Sequence, residues 1–201
     1  IDSTIGKRIF RDNKNFISLS SNQSNSDIFL DYKIEGSIIH TPWQKAFIPK
    51  NIFAKHIMMN LAASMGLYYL SKETGKLVDI DFKNLSGLPG RLEEIKIPFN
   101  QSCYIDYAHT PSALKESLSS LKNKHEGNLI CIFGCGGDRD KGKRSLMGEI
   151  ASLIANQIII TSDNPRSEDP KKISLDILKG IKNSENIDII LNRTKAIKNG
   201  L

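Results

Sequence analysis

An α/β fold ending in a Rossmann-like parallel-sheet domain is what this 201-residue sequence predicts, and three observations predict it. From Cys103 onward, short apolar runs alternate with stretches of helical periodicity, the pattern of βαβ units whose sheet is covered on both faces. Two of the helices are announced by a capping side chain directly before a proline, Thr110-Pro111 and Asp169-Pro170. Ahead of this regular half, "SGLPGRLEEI" carries a Pro89-Gly90 break that suits a domain boundary, dividing the chain into residues 1–95 and 96–201.

In chain order, the polar stretch "SSNQSNS" from Ser20 to Ser26 reads as turns, and Ile28 to Trp43 as short strands or a hairpin. Ala54 to Leu70 reads as a buried helix, with Ile57, Leu61, Met65 and Tyr68 at helical spacing and Ala62 and Ala63 between them. After the boundary the expected elements are a strand in "CYIDY", a helix from Pro111 to Leu121, a strand in "NLICIFG" and a helix from Ser145 to Ala155. A strand in "QIIIT", a helix from Pro170 to Ile181 and a last strand in "IDIIL" complete the series.

Composition narrows the function classes. The net charge of +6 is spread over both halves, and the one dense basic cluster is the loop "GDRDKGKR", so a nucleic-acid surface is not expected. Cys103, Cys131 and Cys135 are odd in number, and the first two sit in apolar runs, as buried reduced thiols would. They have neither Cys-x-x-Cys spacing nor paired histidines, so no metal site is expected among them. No apolar run reaches the length of a membrane span and no signal sequence is visible, which reads as a cytoplasmic protein. The start at Ile1 and the abrupt end after "RTKAIKNGL" suggest a piece of something longer.

In a parallel α/β sheet the loops at the carboxyl ends of the strands share one edge, where ligands bind. Three loops qualify: "DYAHTP" (Asp106 to Pro111), "GCGGDRDKGKR" (Gly134 to Arg144) and "SDNPR" (Ser162 to Arg166). In the last, Pro165 stiffens the turn, Asp163 can accept from an ammonium, Asn164 can donate and accept, and Arg166 can grip a carboxylate. That set suits an amino acid; taken alone, an Asx-type turn with Arg166 in solvent is the simpler reading. In the second loop, Gly134, Gly136 and Gly137 allow tight turning and close approach, while Arg139, Lys141, Lys143 and Arg144 bring positive charge to a helix start. Its spacing is no nucleotide fingerprint, and a solvated basic loop is the bland alternative, with Arg139 the best ligand contact. Asp106 ends its strand as a partner for ribose hydroxyls or a hydrated metal, whereas His109 alone reads more simply as a structural hydrogen-bond partner.

Together, "YIDYAHTPSALKESL", "FGCGGDRDKGKRSLMGEIA" and "TSDNPRSEDP" closely resemble the carboxyl-terminal domain of the Mur ligases, in particular those that add the third amino acid of the peptidoglycan precursor. The likeness covers about Leu88 to Ile197 and makes residues 1–95 the end of a central ATP-binding domain. It implies an ATP- and Mg²⁺-dependent amide ligase that joins meso-diaminopimelate to UDP-N-acetylmuramoyl-L-alanyl-D-glutamate, acting as a monomer. Carried onto matching positions, Arg91, Asp106 and His109 look like ATP contacts, and Arg139, Asp163, Asn164, Pro165 and Arg166 like the diaminopimelate pocket. No catalytic residue and no metal ligand is assigned. Arg166 is what the resemblance ties to diaminopimelate, because lysine-adding relatives typically lack that arginine. In "FAKHIMMNLAAS", which matches only loosely, Asn60 is a weak match to an adenine contact.

The family's Gly-Lys-Thr phosphate loop, its uridine-binding domain and its modified lysine would lie upstream of Ile1, and a closing loop of the amino-acid pocket beyond Leu201. The chain by itself is therefore not expected to turn over ATP. A lysine-adding Mur ligase and a folylpolyglutamate-synthetase-like ligase are the enzyme alternatives. The non-enzyme alternative is a Rossmann-like module binding an acidic metabolite.

Overall fold

The structure is a computed structural model that describes residues 19–22, 24, 26–34, 36–71, 81–98, 101–182 and 186–201, without the side chains of residues 69–71. Gln23 and Asn25 of the polar stretch lie outside the described residues. The chain divides into two compact units, Ile1–Glu93 and Glu94–Leu201.

In the first unit, β1 (Leu19–Ser20), β2 (Ile28–Asp31), β3 (Ile38–His40) and β4 (Lys45–Phe47) form a sheet in that order. β1 runs parallel to β2, while β2, β3 and β4 are antiparallel, so the expected hairpin is present. Alternation sends Ile28 and Leu30 of β2 and Ile39 of β3 into the core, where the helix α1 (Lys55–Ser71) meets them. The helix buries Met58, Ala62 and Met65; of the expected stripe of Ile57, Leu61, Met65 and Tyr68, only Met65 lies in the core. Ile57 and Leu61 only flank this core. The buried face is therefore the one carrying Met58, Ala62 and Met65, offset from the expected stripe.

From the last residue of the first unit into the second, β5 (Glu93–Ile95) is followed by β6 (Cys103–Ile105), and the two pair as a two-stranded sheet. The "CYIDY" strand therefore pairs with β5, whereas the parallel sheet consists of β7 (Ile130–Phe133), β8 (Gln157–Ile160) and β9 (Ile187–Ile189). Register sets Cys131 against Ile158 and Phe133 against Ile160. These four face a core built with Leu114 and Leu118 of α2 (Pro111–Lys124), Met147 and Ala151 of α3 (Gly142–Ile154), and Ile173 and Ile177 of α4 (Pro170–Leu178). Each fully buried isoleucine contributes roughly 1.5–3 kcal/mol of transfer free energy.

The opposite face carries Ile132 and Ile159, against which Gly200 of α5 (Arg193–Gly200) is seated. Periodicity predicts no helix there, although Asn192 caps it by accepting from the Lys195 amide at 3.0 Å. Both expected helix starts are present: Thr110 Oγ1 accepts from the Ala113 amide and Asp169 Oδ1 from the Lys171 amide. α3 begins at Gly142 rather than Ser145, because Asp140 Oδ1 accepts from the Gly142 amide at 2.9 Å and starts the turn early. Lys143 and Arg144 thereby enter its first turn. α3 and α4 approach to backbone contact, and a Cβ on Gly148 would lie 2.1 Å from the Ile177 carbonyl oxygen.

Cys131 and Cys135 are buried free thiols. Burial pushes them up to about 12 and about 11 respectively, out of the range of reactive cysteines. Among the described residues no helix is long and apolar enough to cross a membrane.

Candidate functional site

The loops following β6, β7 and β8 meet within the second unit. After β6, Asp106 Oδ1 accepts from the Ala108 amide and from Ser117 Oγ, both at 2.9 Å, closing an Asx-type turn onto α2. His109 is exposed, and its Nδ1 lies 3.0 Å from the Tyr107 carbonyl oxygen. Its own carbonyl accepts from Lys143 Nζ at 2.9 Å, which joins this loop to the first turn of α3.

The loops after β7 and β8 interlock more closely. The Gly137 amide donates to the Asn164 carbonyl at 3.1 Å, and Arg166 Nη1 donates to the Gly137 carbonyl. A Cβ on Gly137 would sit 1.8 Å from the Pro165 carbonyl oxygen, and one on Gly134 2.1 Å from that of Thr161. Close approach is thus what these glycines supply. The left-handed backbone at this edge is taken up by Asp138 (φ 51°), Asn164 (φ 46°) and Arg166 (φ 52°). A non-glycine residue there costs about 1–2 kcal/mol, so other contacts must hold it.

One such contact is Asp138, whose carboxylate accepts from the Ser167 hydroxyl (2.7 Å) and amide (3.1 Å), holding its carboxyl below the usual range. A second is Arg144, expected to bring charge to the loop yet fully buried. It forms a two-pronged pair with Glu168, at 2.8 and 3.0 Å, and reaches Asp176 Oδ2 at 3.1 Å. Sequence reading missed that pair. The available signal was position: Arg144 shares a helical stripe with Met147, Gly148 and Ala151, so its side chain had to turn inward.

Of the residues expected to form the amino-acid pocket, Asp163, Asn164 and Arg166 are exposed and Pro165 partly buried on one turn. Arg139 is exposed and makes no hydrogen bond or ion pair among the described residues. Asp163 has a further neighbour that periodicity did not reveal, Arg193 at the start of α5, with Nη1 3.9 Å from Asp163 Oδ1 and 3.4 Å from the Ser162 carbonyl. Arg91 is exposed and belongs to the first unit, as does Asn60, exposed on α1. Chemically, Arg139, Arg166 and Arg193 offer three exposed guanidiniums beside the Asp163 carboxylate and the Asn164 carboxamide, a set suited to a charged, zwitterionic ligand.

Among the described residues no three His, Cys, Asp or Glu side chains come together as a metal centre would need. The described residues therefore do not by themselves form a dedicated protein cage for Mg²⁺.

Residues 90–201 match the family described as Mur ligase, glutamate ligase domain. A UDP-N-acetylmuramoyl-L-alanyl-D-glutamate–2,6-diaminopimelate ligase from Prochlorococcus marinus is 39% identical over 166 residues, which cover 82% of this chain and 33% of that protein. A solved structure of a ligase of the same description superposes with TM-score 0.55 at 33% identity, over 90% of this chain and 38% of that one. Folylpolyglutamate synthase from Mycobacterium tuberculosis, complexed with ADP and AMPPCP, reaches TM-score 0.59 at 17% identity over 87% of this chain and 40% of that one, a likeness of fold alone. The chain spans about a third of the length of the curated relatives it matches.

Proposed function

The chain belongs to the Mur ligase family, and from that premise we propose that it is part of a cytoplasmic, ATP-dependent ligase adding meso-diaminopimelate to UDP-N-acetylmuramoyl-L-alanyl-D-glutamate. Residues 1–95 are then the end of the central ATP-binding domain and residues 96–201 the carboxyl-terminal ligase domain. The diaminopimelate relatives support the amino acid. The observation that carries the reading is the Asp163-Asn164-Pro165-Arg166 turn after β8, fastened on Gly137 through Arg166 Nη1 while Arg166 as a whole stays exposed.

In this reaction ATP converts the terminal glutamate carboxylate to an acyl phosphate, and the incoming amine displaces phosphate to form the amide. The chain's contribution is positioning. Arg166 and Arg139 offer planar donors to ligand carboxylates, Asn164 donates and accepts beside them, and Asp163 accepts from the ammonium. Fixing both ends of the amino acid turns the encounter of amine and acyl phosphate into a step between oriented partners. On the nucleotide side the proposed contacts are Arg91, Asp106 and His109. Asp106 has one carboxylate oxygen committed to its own turn, which fixes the orientation of the carboxylate. Mg²⁺ would come with the ATP phosphates and neutralise their charge.

The test is amide formation by the full-length protein with ATP, Mg²⁺ and UDP-N-acetylmuramoyl-L-alanyl-D-glutamate, with labelled meso-diaminopimelate or lysine. Diaminopimelate should be incorporated far faster. Preference for lysine, or no dependence on the nucleotide peptide, would overturn the assignment.

A further inference from the structure

We propose that Arg144, acting through Glu168, is a positioning residue that holds the diaminopimelate-gripping turn in its left-handed backbone. The inference rests on the functional reading above and concerns how that site is kept in shape.

Arg144 is costly where it stands. It is 0% exposed, it places a cation in the first turn of α3 where the helix dipole opposes it, and its Nε is buried without a hydrogen-bond partner. An apolar side chain of similar volume at such a place is often as stabilising or more so. What the guanidinium does is join four segments. Nη2 donates to Glu168 Oε1 and, at 3.4 Å, to the Gly136 carbonyl; Nη1 donates to Glu168 Oε2 and to Asp176 of α4. Glu168 passes the restraint on, because its Oε1 also accepts from the amide of left-handed Asp138 at 2.7 Å and its own amide donates to the Pro165 carbonyl at 3.0 Å.

Pro165 lies between the two other left-handed residues, Asn164 and Arg166. All three strained residues are therefore within one residue of a group that Glu168 binds, and Glu168 is oriented by Arg144. Lys141, 3.5 Å from Glu168 and mostly exposed, adds charge without fixing direction. The Glu168 carboxyl, held down to about 2 chiefly by Arg144, stays ionised throughout the working range. Without the pair, the Asp138 amide loses its Glu168 acceptor and Ser167 alone is left to hold that residue, so that Arg166 would relax away from its place over Gly137.

The experiment uses the full-length ligase and compares Arg144→Met, Arg144→Lys, Glu168→Gln and the Arg144→Met/Glu168→Gln double variant with wild type. KM for the amino acid should rise about tenfold to a hundredfold in Arg144→Met, the range expected when reacting groups are misplaced by about 1 Å. KM for ATP should change much less. Glu168→Gln should show the same selective rise, the double variant should be no worse than either single one, and Arg144→Lys should recover little because it lacks the fork. Should Arg144→Met fail to fold, Glu168→Gln alone carries the test, since it preserves shape. An unchanged amino-acid KM in folded variants, or equal rises for both substrates, would overturn the proposal and leave Arg144 an ordinary structural residue. The amino acid used is whichever one wild type incorporates, so a mistaken diaminopimelate assignment would show in wild type and leave this comparison intact.

Discussion

Adding one methyl group at Gly137 tests the whole arrangement of the site. An ideal Cβ there lies 1.8 Å from the Pro165 carbonyl oxygen and 2.6 Å from its carbon, both backbone atoms that no rotamer change can remove. Carbon and oxygen settle at about 3.3 Å, so the loops after β7 and β8 must part by about 1.5 Å. A displacement of that size takes the Gly137 amide out of reach of the Asn164 carbonyl, now 3.1 Å away, and weakens the hold of Arg166 on the Gly137 carbonyl. Overpacking and the lost bonds together should destabilise the unit by about 2–4 kcal/mol. For a unit of this size that lowers its unfolding midpoint by about 10 °C or more. In the full-length ligase, Gly137→Ala should reduce kcat/KM for diaminopimelate about a hundredfold, the cost of misplacing a positioning group by about 1 Å. KM for ATP should be affected much less. The assays are calorimetric melting and initial rates with each substrate varied, with Gly127→Ala as the control because nothing lies within 4 Å of a Cβ there. If Gly137→Ala melted and turned over like Gly127→Ala, the two loops would not be in the contact described, and the pocket built on that contact would fall with it.

Arg166→Ala should remove a charge-assisted fork from the distal carboxylate and cost about 2–5 kcal/mol in diaminopimelate use. Lysine use should fall much less; equal proportional losses in kcat/KM for the two amino acids would mean that Arg166 supports the loop rather than reading that carboxylate. Asp106→Asn should preserve the acceptor for the Ala108 amide and Ser117 hydroxyl while removing charge. It should raise KM for ATP with melting unchanged, whereas Asp106→Ala should also lower the melting temperature, and a selective rise for the amino acid would refute the nucleotide-side assignment. Glu168 gives a pH signature. Its folded value, about 2, is below its ordinary 4.5, so its stabilisation is complete above 4.5 and is lost as pH falls toward 2. Wild type should therefore lose more stability than Glu168→Gln between pH 5 and pH 2.5 in urea melts; parallel curves would contradict the Arg144 pairing.

Local sequence determined those parts of the protein whose causes are local. Thr110-Pro111 and Asp169-Pro170 start helices because a capping oxygen and a preset proline φ act within three residues. The isoleucine-rich runs became the parallel strands because they are apolar on both faces, and Asp163 to Arg166 fell at a strand end because the run stops there. The partner of β6 was not legible, since "CYIDY" is as apolar as the runs that joined β7–β9 and only the chain path through Glu93–Ile95 decides its neighbour. The helix after Asn192 was missed because its sequence is polar and held by a cap and by Gly200 seated on Ile132 and Ile159. The conformation of the site was decided by tertiary contact as well. Gly134 and Gly137 are glycines because another loop passes within a methyl group's reach, while Asp138, Asn164 and Arg166 take up the left-handed turning. Arg144 reads as a solvated loop cation until Glu168, 24 residues away, closes on it. Composition assigns a charge to each of these residues; only the fold decides which charges are buried in pairs and which, like Arg139 and Arg166, remain exposed at the edge.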